Sequence, residues 1–235
     1  MVLYRYVKEI ERETKTSHRR FLPTVLIVVG LSLLINVVYP VFSYHFFTTF
    51  RFQSKLLSPL VESSDLVDHQ VLSQTQDLTL LSNWFVETSE PATKLSSKVT
   101  HYTISIPRLK IFEATVEIGG EDLKKNLIHY GGTALPGEFG NTVIFGHSVL
   151  PQFFNPKNYL TIFSTLPELK KDDEVFVDFD GIEYKYKVYK MVEVDPNDVV
   201  ILEQQYDDSY LTLVTCVPPG TYWKRLAVKA RLEKI

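Results

Sequence analysis

An uncharged stretch near the amino end constrains the fold of this chain more than any other feature. No Lys, Arg, Asp or Glu occurs from Phe21 to Phe50. Its most apolar part, Phe21–Tyr44, would form a helix of roughly 36 Å at about 1.5 Å per residue, which is long enough to cross a hydrocarbon core of about 30 Å. A buried core helix would show a polar face, and a cleaved signal peptide has a shorter apolar region followed by small residues. We therefore expect an uncleaved transmembrane anchor over residues 21–46.

The charges on either side of this stretch predict its orientation. Residues 1–20 contain six basic and three acidic side chains, a net charge of +3, whereas the whole chain has a net charge of −3. The positive-inside rule therefore predicts that residues 1–20 are cytoplasmic and that the rest of a single-pass cell-membrane protein is extracellular. The overall balance of 25 basic and 28 acidic residues excludes a strongly basic nucleic-acid-binding protein, so we expect no nucleic-acid partner.

The exported part divides by composition into two segments. Residues 47–98 are rich in Ser, Thr and Gln and predict an extracellular stalk. From residue 99 to residue 235, seven or eight β-rich runs predict a mainly β domain that forms a closed or nearly closed barrel. Asp180-Gly181 lies between two of these runs and indicates a hairpin. Glu121–His129 is expected to form a short helix, and Phe163–Lys171 is expected to include a helical turn.

The single cysteine, Cys216, follows the β-rich run that begins at Leu211, and a loop with two prolines and a glycine comes after it. One cysteine excludes an internal disulfide framework and any zinc or iron–sulfur site built from cysteines. A strand end holds a side chain rigidly and exposes it, which suits a nucleophile. A small buried core residue is the alternative interpretation.

Two further polar residues lie at predicted strand ends. His147 follows the apolar run that ends at Phe145, and Arg225 opens the last strand nine residues after Cys216. Each could be an ordinary structural residue. A nucleophilic thiol nevertheless needs a proton acceptor or a positive field, and acyl transfer needs an anion stabiliser. We expect the His147 and Arg225 side chains to flank the Cys216 sulfur from opposite sides, and among the other histidines only His129 is a rival imidazole.

Three segments resemble one family of enzymes. Thr212–Cys216, with the sequence TLVTC, resembles the TLxTC signature of the sortases, which are cell-surface cysteine transpeptidases mainly of Gram-positive bacteria. Leu135–His147 is similar to the stretch that leads to the family's histidine, and Arg225–Val228 resembles the strand that carries its arginine. The resemblance covers about residues 100–235. It implies a mainly β fold, a closed eight-stranded β-barrel with short helices, attached to the transmembrane helix.

The resemblance also implies a reaction. Cys216 would be the nucleophile that attacks an LPxTG-type sorting signal near the carboxyl end of a secreted protein, with His147 as general acid and base. Arg225 would stabilise the substrate and the oxyanion, and the thioacyl group would pass to an amine of a cell-wall precursor or a pilin. Thr215 and His129 would have supporting roles. The resemblance implies no cofactor and assigns no metal ligand, and it leaves calcium dependence open because Glu121 and Asp122 do not by themselves assemble a site.

Two other interpretations and the subclass stay open from the sequence. The domain could be a membrane-tethered β-barrel binding module without catalysis. It could also be an L,D-transpeptidase, although that family would have a glycine, where Thr215 stands here, before the nucleophile. Pilin-polymerising sortases carry an aspartate beside an aromatic residue in a lid, and the sequence before the barrel shows no clear motif of this kind.

Overall fold

The computed structural model describes residues 18–48, 77–84, 99–196 and 198–234. The chain divides into two compact units, Met1–Tyr39 and Pro40–Ile235. The amino-terminal helix α1 is His18–Thr48, and its segment Phe21–Tyr44 has a mean hydropathy of 2.5 and is long enough to cross a membrane. This apolar helix fits the predicted membrane anchor.

Eight strands form a closed barrel, as predicted. In sheet order they run β1-β2-β3-β4-β7-β8-β6-β5, and β5 pairs with β1 to close the sheet. The strands are β1 His101–Ile106, β2 Ile111–Ile118, β3 Leu127–His129, β4 Gly140–Phe145, β5 Glu174–Phe179, β6 Ile182–Val194, β7 Ser209–Val217 and β8 Lys224–Leu232. The predicted hairpin at Asp180-Gly181 is confirmed between β5 and β6, and both turn residues have the positive φ that a tight hairpin turn requires.

Strands β4, β7 and β8 lie side by side and position the predicted site residues. The pair β4 and β7 is parallel, with Phe145 beside Val214. The pair β7 and β8 is antiparallel, with Cys216 opposite Arg225. Since β7 lies between the other two strands, a residue at the end of β4 and a residue at the start of β8 reach Cys216 from its two sides.

Strand β4, β7 from Leu211 onward and Arg225–Val228 of β8 are buried on both faces of the sheet. Side chains alternate between the faces along a strand. One face packs in the barrel interior, in a cluster that includes Ile144, Leu213 and Val228. The opposite, outer face packs in a second cluster, which contains Phe145 and Val214, as well as Val143, Cys216 and Ala227. The outer cluster is completed by residues from outside the barrel strands, including Leu81, Trp84 and Ile201.

The segment before β3 differs from its predicted structure. The expected short helix over Glu121–His129 is wrong, because these residues form turns and then strand β3. β3 pairs in parallel with β2 and antiparallel with β4, and all three of its side chains are buried. Pairing on both edges thus overrides the local charge pattern that favoured a helix. The helical turn predicted within Phe163–Lys171 is confirmed as a 3-10 helix, Leu166–Glu168.

Part of the predicted stalk lies against the barrel. Residues 77–84, which we call the covering segment, include the 3-10 helix Leu81–Trp84. The segment joins the loop before β3 through a β-bridge between Leu80 and Asp122 and through a 3.3 Å ion pair between the Lys124 Nζ and the Asp77 carboxylate. The rest of the predicted stalk, apart from the last residues of α1, lies outside the described residues.

Candidate active site

Cys216 and Arg225 are in direct contact. They are paired across β7 and β8, and the Arg225 Nη1 donates a hydrogen bond to the Cys216 Sγ over 3.3 Å. Both side chains are buried, with 1% and 3% of their surface exposed. The sequence places them nine residues apart, and the connection of residues 218–223 between β7 and β8 brings them to adjacent positions in the sheet.

His147 lies on the other side of Cys216. It follows the last residue of β4 by two positions, and its neighbours Gly146 and Ser148 bond the Val214 and Cys216 carbonyls of β7, which places His147 on the edge of β7 opposite β8. Its Nδ1 is 2.8 Å from the carbonyl oxygen of Leu160. Because a carbonyl only accepts, Nδ1 carries the proton, and in the neutral ring Nε2 is left as the acceptor.

Two hydroxyl groups hold the ends of β4 and β7 together. The backbone ladder continues one step past Phe145, where Gly146 N donates to Val214 O over 3.0 Å. Beyond it, the Thr215 hydroxyl donates to Gly146 O and the Ser148 hydroxyl donates to Cys216 O, each over 2.8 Å. Gly146 and Ser148, the residues on either side of His147, are thus bonded to Thr215 and Cys216 of β7. Thr215 was among the predicted residues; Ser148 was not, and the only signal for it is a hydroxyl beside a strand-end histidine.

The electrostatics of the site favour uncharged groups. Burial raises the pKa of the Cys216 thiol to about 11, against a smaller opposing effect of the Arg225 charge. Burial likewise lowers the pKa of His147, against the opposing effect of its bond to the Leu160 carbonyl. A neutral thiol and a neutral imidazole are therefore the favoured forms at neutral pH in this covered arrangement.

Trp84 of the covering segment packs over the site. Its ring centroid lies 4.5 Å from Cζ of Arg225, and its ring meets Phe145 edge-on at 5.5 Å. The indole Nε1 donates to the Leu78 carbonyl over 2.7 Å, and the side chain is 1% exposed. The sequence does not single out Trp84, because no aspartate adjoins it as in the lid motif of pilin-polymerising sortases.

His129 points away from the other site residues. It lies in β3 with its side chain in the barrel interior, where Nδ1 is 3.0 Å from the hydroxyl of Tyr102. Burial lowers its pKa to about 4. The structure places Arg225 in contact with Cys216 and His147 on the neighbouring chain segment. Thr215 is next to Cys216 in β7 but on the opposite face of the strand, where its hydroxyl bonds the Gly146 carbonyl. His129 lies in the barrel interior, away from Cys216.

Of the two predicted carboxylates near β3, Asp122 is engaged by lysines. Asp122 forms a 3.1 Å ion pair with Lys125 and accepts a hydrogen bond from the backbone of Lys124. Across the described ranges, no three His, Cys, Asp or Glu side chains are grouped closely enough to hold a metal ion.

A family model of the sortase domain matches residues 104–233, which is more than half of the chain. The chain belongs to the sortase family. Its segment of 116 residues is 29% identical to Sortase D of Bacillus subtilis (strain 168), covering 49% of this chain and 53% of that protein. A segment of 132 residues is 29% identical to Sortase A of Bacillus anthracis, covering 55% of this chain and 58% of that protein. The sortase therefore spans about half the length of the curated relatives it matches.

A solved structure agrees with the architecture of this sortase. The crystal structure of sortase C-1 from Actinomyces oris superposes with a TM-score of 0.50 at 29% identity, covering 57% of this chain and 73% of that one. The three relatives carry the letters A, C and D. Their names therefore do not select one subclass for this sortase.

Proposed function

We propose that this sortase is a cysteine transpeptidase in which Cys216 is the nucleophile. The single observation that carries the proposal is the 3.3 Å contact between the Arg225 guanidinium and the Cys216 sulfur, because it places a fixed positive charge at a buried thiol. This charge lowers the pKa of the Cys216 thiol, although burial raises it by more in the covered site, and it stabilises the thiolate, which is the reactive form of cysteine, once the thiol proton is removed. A purely structural arginine would more often be solvated at the surface.

In the proposed reaction the thiolate attacks the backbone carbonyl within an LPxTG-type sorting signal. Attack forms a bond from sulfur to the carbonyl carbon, and collapse of the tetrahedral intermediate breaks the peptide bond and leaves a thioacyl enzyme. Before attack, the Cys216 thiol proton passes to Nε2 of His147, which gives the thiolate and an imidazolium. The imidazolium gives this proton to the leaving amine, and the neutral ring later accepts a proton from the incoming amine. This exchange uses Nε2, because Nδ1 is bonded to the Leu160 carbonyl.

Arg225 makes two contacts in the structure and would make a third, with the oxyanion, in the proposed reaction. Its Nη1 donates to Cys216 Sγ, and it lies 3.4 Å from the carbonyl oxygen of Tyr222. When a substrate carbonyl is present, the same guanidinium is positioned to donate to the oxyanion, because the new carbon–sulfur bond brings that oxygen next to the sulfur. Preorganised donors of this kind account for a large share of rate acceleration in acyl transfer.

The proposed partners follow from this chemistry. The acyl donor is a secreted protein with a carboxyl-terminal sorting signal, and the acceptor is an amine of a cell-wall precursor or a pilin. Both meet the site outside the cell if residues 1–20 are cytoplasmic and residues 21–46 span the membrane, as the flanking charges favour. In the same scheme residues 47–98 lead from the membrane to the domain of residues 99–235.

The decisive experiment compares the full chain in detergent with its Cys216→Ala variant on LPxTG-type peptides. We expect cleavage, and an intact-mass increase that matches the acyl fragment, only with Cys216 present. Equal cleavage by the variant would refute the proposed nucleophile. Peptide binding by both proteins without cleavage by either would instead favour a membrane-tethered binding module.

The acceptor needs a separate experiment in the cell. Mass spectrometry of surface proteins before and after deletion of this sortase identifies both the cleaved motif and the attached amine. A change in peptidoglycan crosslinks, without any change in protein attachment, would favour an L,D-transpeptidase over the proposed reaction.

A further inference from the structure

The loop after His147 ends in a segment that returns to the histidine. Three hydrogen bonds join the two chain segments: the His147 Nδ1 to the Leu160 carbonyl, the Phe163 N–H to the His147 carbonyl, and the Val149 N–H to the Ser164 hydroxyl. Phe163 is completely buried in the barrel interior, and this anchors the returning segment. The imidazole is thus held by a piece of chain that is itself packed into the core.

The position of the Leu160 carbonyl depends on the next residue, Thr161. The Thr161 hydroxyl accepts a hydrogen bond from the Asn155 N–H over 3.0 Å. It also lies 3.1 Å from the Asn155 carbonyl and 3.2 Å from the Asn158 carbonyl, to either of which it can donate. Thr161 is 8% exposed, so its hydroxyl is a buried group that joins the end of the segment 155–161 to Asn155 and Asn158.

The Asn158 side chain adds a second restraint on the same peptide. Its Oδ1 accepts a hydrogen bond from the Leu160 N–H over 3.0 Å. The peptide groups on both sides of the Leu160 Cα are therefore constrained. The peptide before it is held by the Asn158 side chain. The peptide after it, which contains the Leu160 carbonyl, is held by the Thr161 N–H, which donates to the Asn158 carbonyl over 2.9 Å. A carbonyl held in this way cannot rotate away from the imidazole without breaking several bonds.

We propose that Thr161 is a positioning residue that acts on His147 through the Leu160 carbonyl. By holding that carbonyl in place, Thr161 keeps the proton of the neutral imidazole on Nδ1 and directs Nε2 toward the face that carries Cys216. A nucleophile and base are commonly completed by a third group that orients the base. Here the third group is a backbone carbonyl, and its geometry depends on a buried hydroxyl.

The inference rests on the proposed function only for its kinetic consequence, since the tautomer of His147 can be measured directly. The matched variants are Thr161→Val, which removes the hydroxyl at nearly constant volume, and Thr161→Ser, which retains it. In the full chain in detergent, with 15N-labelled histidine assigned by a His147→Gln variant, we expect a single Nδ1-protonated tautomer for the wild type and for Thr161→Ser. We expect a mixture of tautomers for Thr161→Val.

The kinetic expectation follows from misplacement of the base. Thr161→Val should lower the kcat for peptide cleavage by between about 10-fold and 100-fold, with a KM within about 2-fold of the wild type, and Thr161→Ser should restore kcat. If the wild type cleaves no peptide at all, the proposed function fails, whereas the 15N spectra still decide the positioning role.

Two results would overturn the inference. One is a Thr161→Val enzyme that retains the wild-type 15N pattern and the wild-type kcat. The other is a fall in kcat with an unchanged 15N pattern, because this would mean that the hydroxyl acts on stability alone. If Thr161→Val does not fold, Asn158→Ala replaces it, since that exposed side chain holds the same peptide from the other side and should give the same tautomer mixture.

Discussion

The covering segment makes a strong prediction about the reactivity of Cys216. Trp84 packs on Arg225, and Arg225 in turn contacts the sulfur. Truncation to Trp84→Ala should therefore expose the thiol to water and to alkylating reagents. The expected result is a large increase in the alkylation rate of Cys216 and a lower pH midpoint for that reaction.

The magnitude follows from the burial of the two side chains. Truncating a buried tryptophan to alanine costs about 3–5 kcal/mol, and loss of the contact with the guanidinium adds about 1–2 kcal/mol where the cation is desolvated. This weakens the packing of the covering segment over Arg225 and Cys216 and lets water reach the sulfur, while buried Leu81 and the bridge between Leu80 and Asp122 still hold the segment to the domain. Burial raises the pKa of Cys216 from 9.0 to about 11. A return to the ordinary value would raise the thiolate fraction at pH 8, and with it the alkylation rate, by about 100-fold.

The assay is the rate of iodoacetamide labelling of the full chain in detergent, followed by intact mass between pH 7 and pH 10. Trp84→Phe is the matched control, because it retains an aromatic ring over Arg225 and should label within about 10-fold of the wild-type rate. Circular dichroism and the melting temperature establish that each variant is folded. A folded Trp84→Ala protein that labels at the wild-type rate would refute the reasoning, since the segment would then not control access to the sulfur.

Three further outcomes follow from single contacts. Thr215→Val leaves the Gly146 carbonyl without its side-chain donor and should lower the free energy of unfolding by about 1–3 kcal/mol in chemical denaturation, whereas Thr215→Ser should not. The pKa of His129 is lowered to about 4 by burial, so the unfolded chain binds a proton more readily and stability is lost as the pH falls from about 6.5, by up to about 1.4 kcal/mol per pH unit. His129→Gln should lack this component of the pH dependence, and an unchanged slope would contradict it. Under the proposed reaction, Arg225→Lys should lower kcat/KM for peptide cleavage by about 100-fold to 1,000-fold, and a loss below about 3-fold would argue against an oxyanion role.

The barrel and the three strand-end residues could be predicted because their signals are local. Apolar strand patterns and turn residues mark β4, β7 and the hairpin at Asp180-Gly181, and each polar residue lies where an apolar run begins or ends. β3 could not be predicted in the same way. It is three residues long, and it is a strand only because β2 and β4 pair with its two edges. The local charge pattern around it resembles the start of a helix.

The contacts that complete the site lie between segments far apart in the chain. Trp84 reaches Arg225 across 141 positions, and Ser148 reaches the carbonyl of Cys216 across 68. No spacing rule in the sequence connects such pairs. The Leu160 carbonyl is less predictable still, because any residue type provides one and only the path of the loop brings it to His147.

The strands themselves nevertheless carry a sign that something must cover the site. A barrel wall with one face in water alternates apolar and polar side chains, whereas a strand buried on both faces reads as a continuous apolar run. Thr142–Phe145 and Leu211–Val217 contain no charged residue, and the structure buries every residue of both runs. The outer face of β4 and β7 therefore requires a packing partner, and the leucines and tryptophan of Leu78–Trp84, within an otherwise polar stretch, fit that role. The pattern thus indicates that the face carrying Cys216 is covered, and the three-dimensional contacts of Trp84 are needed to identify the segment that covers it.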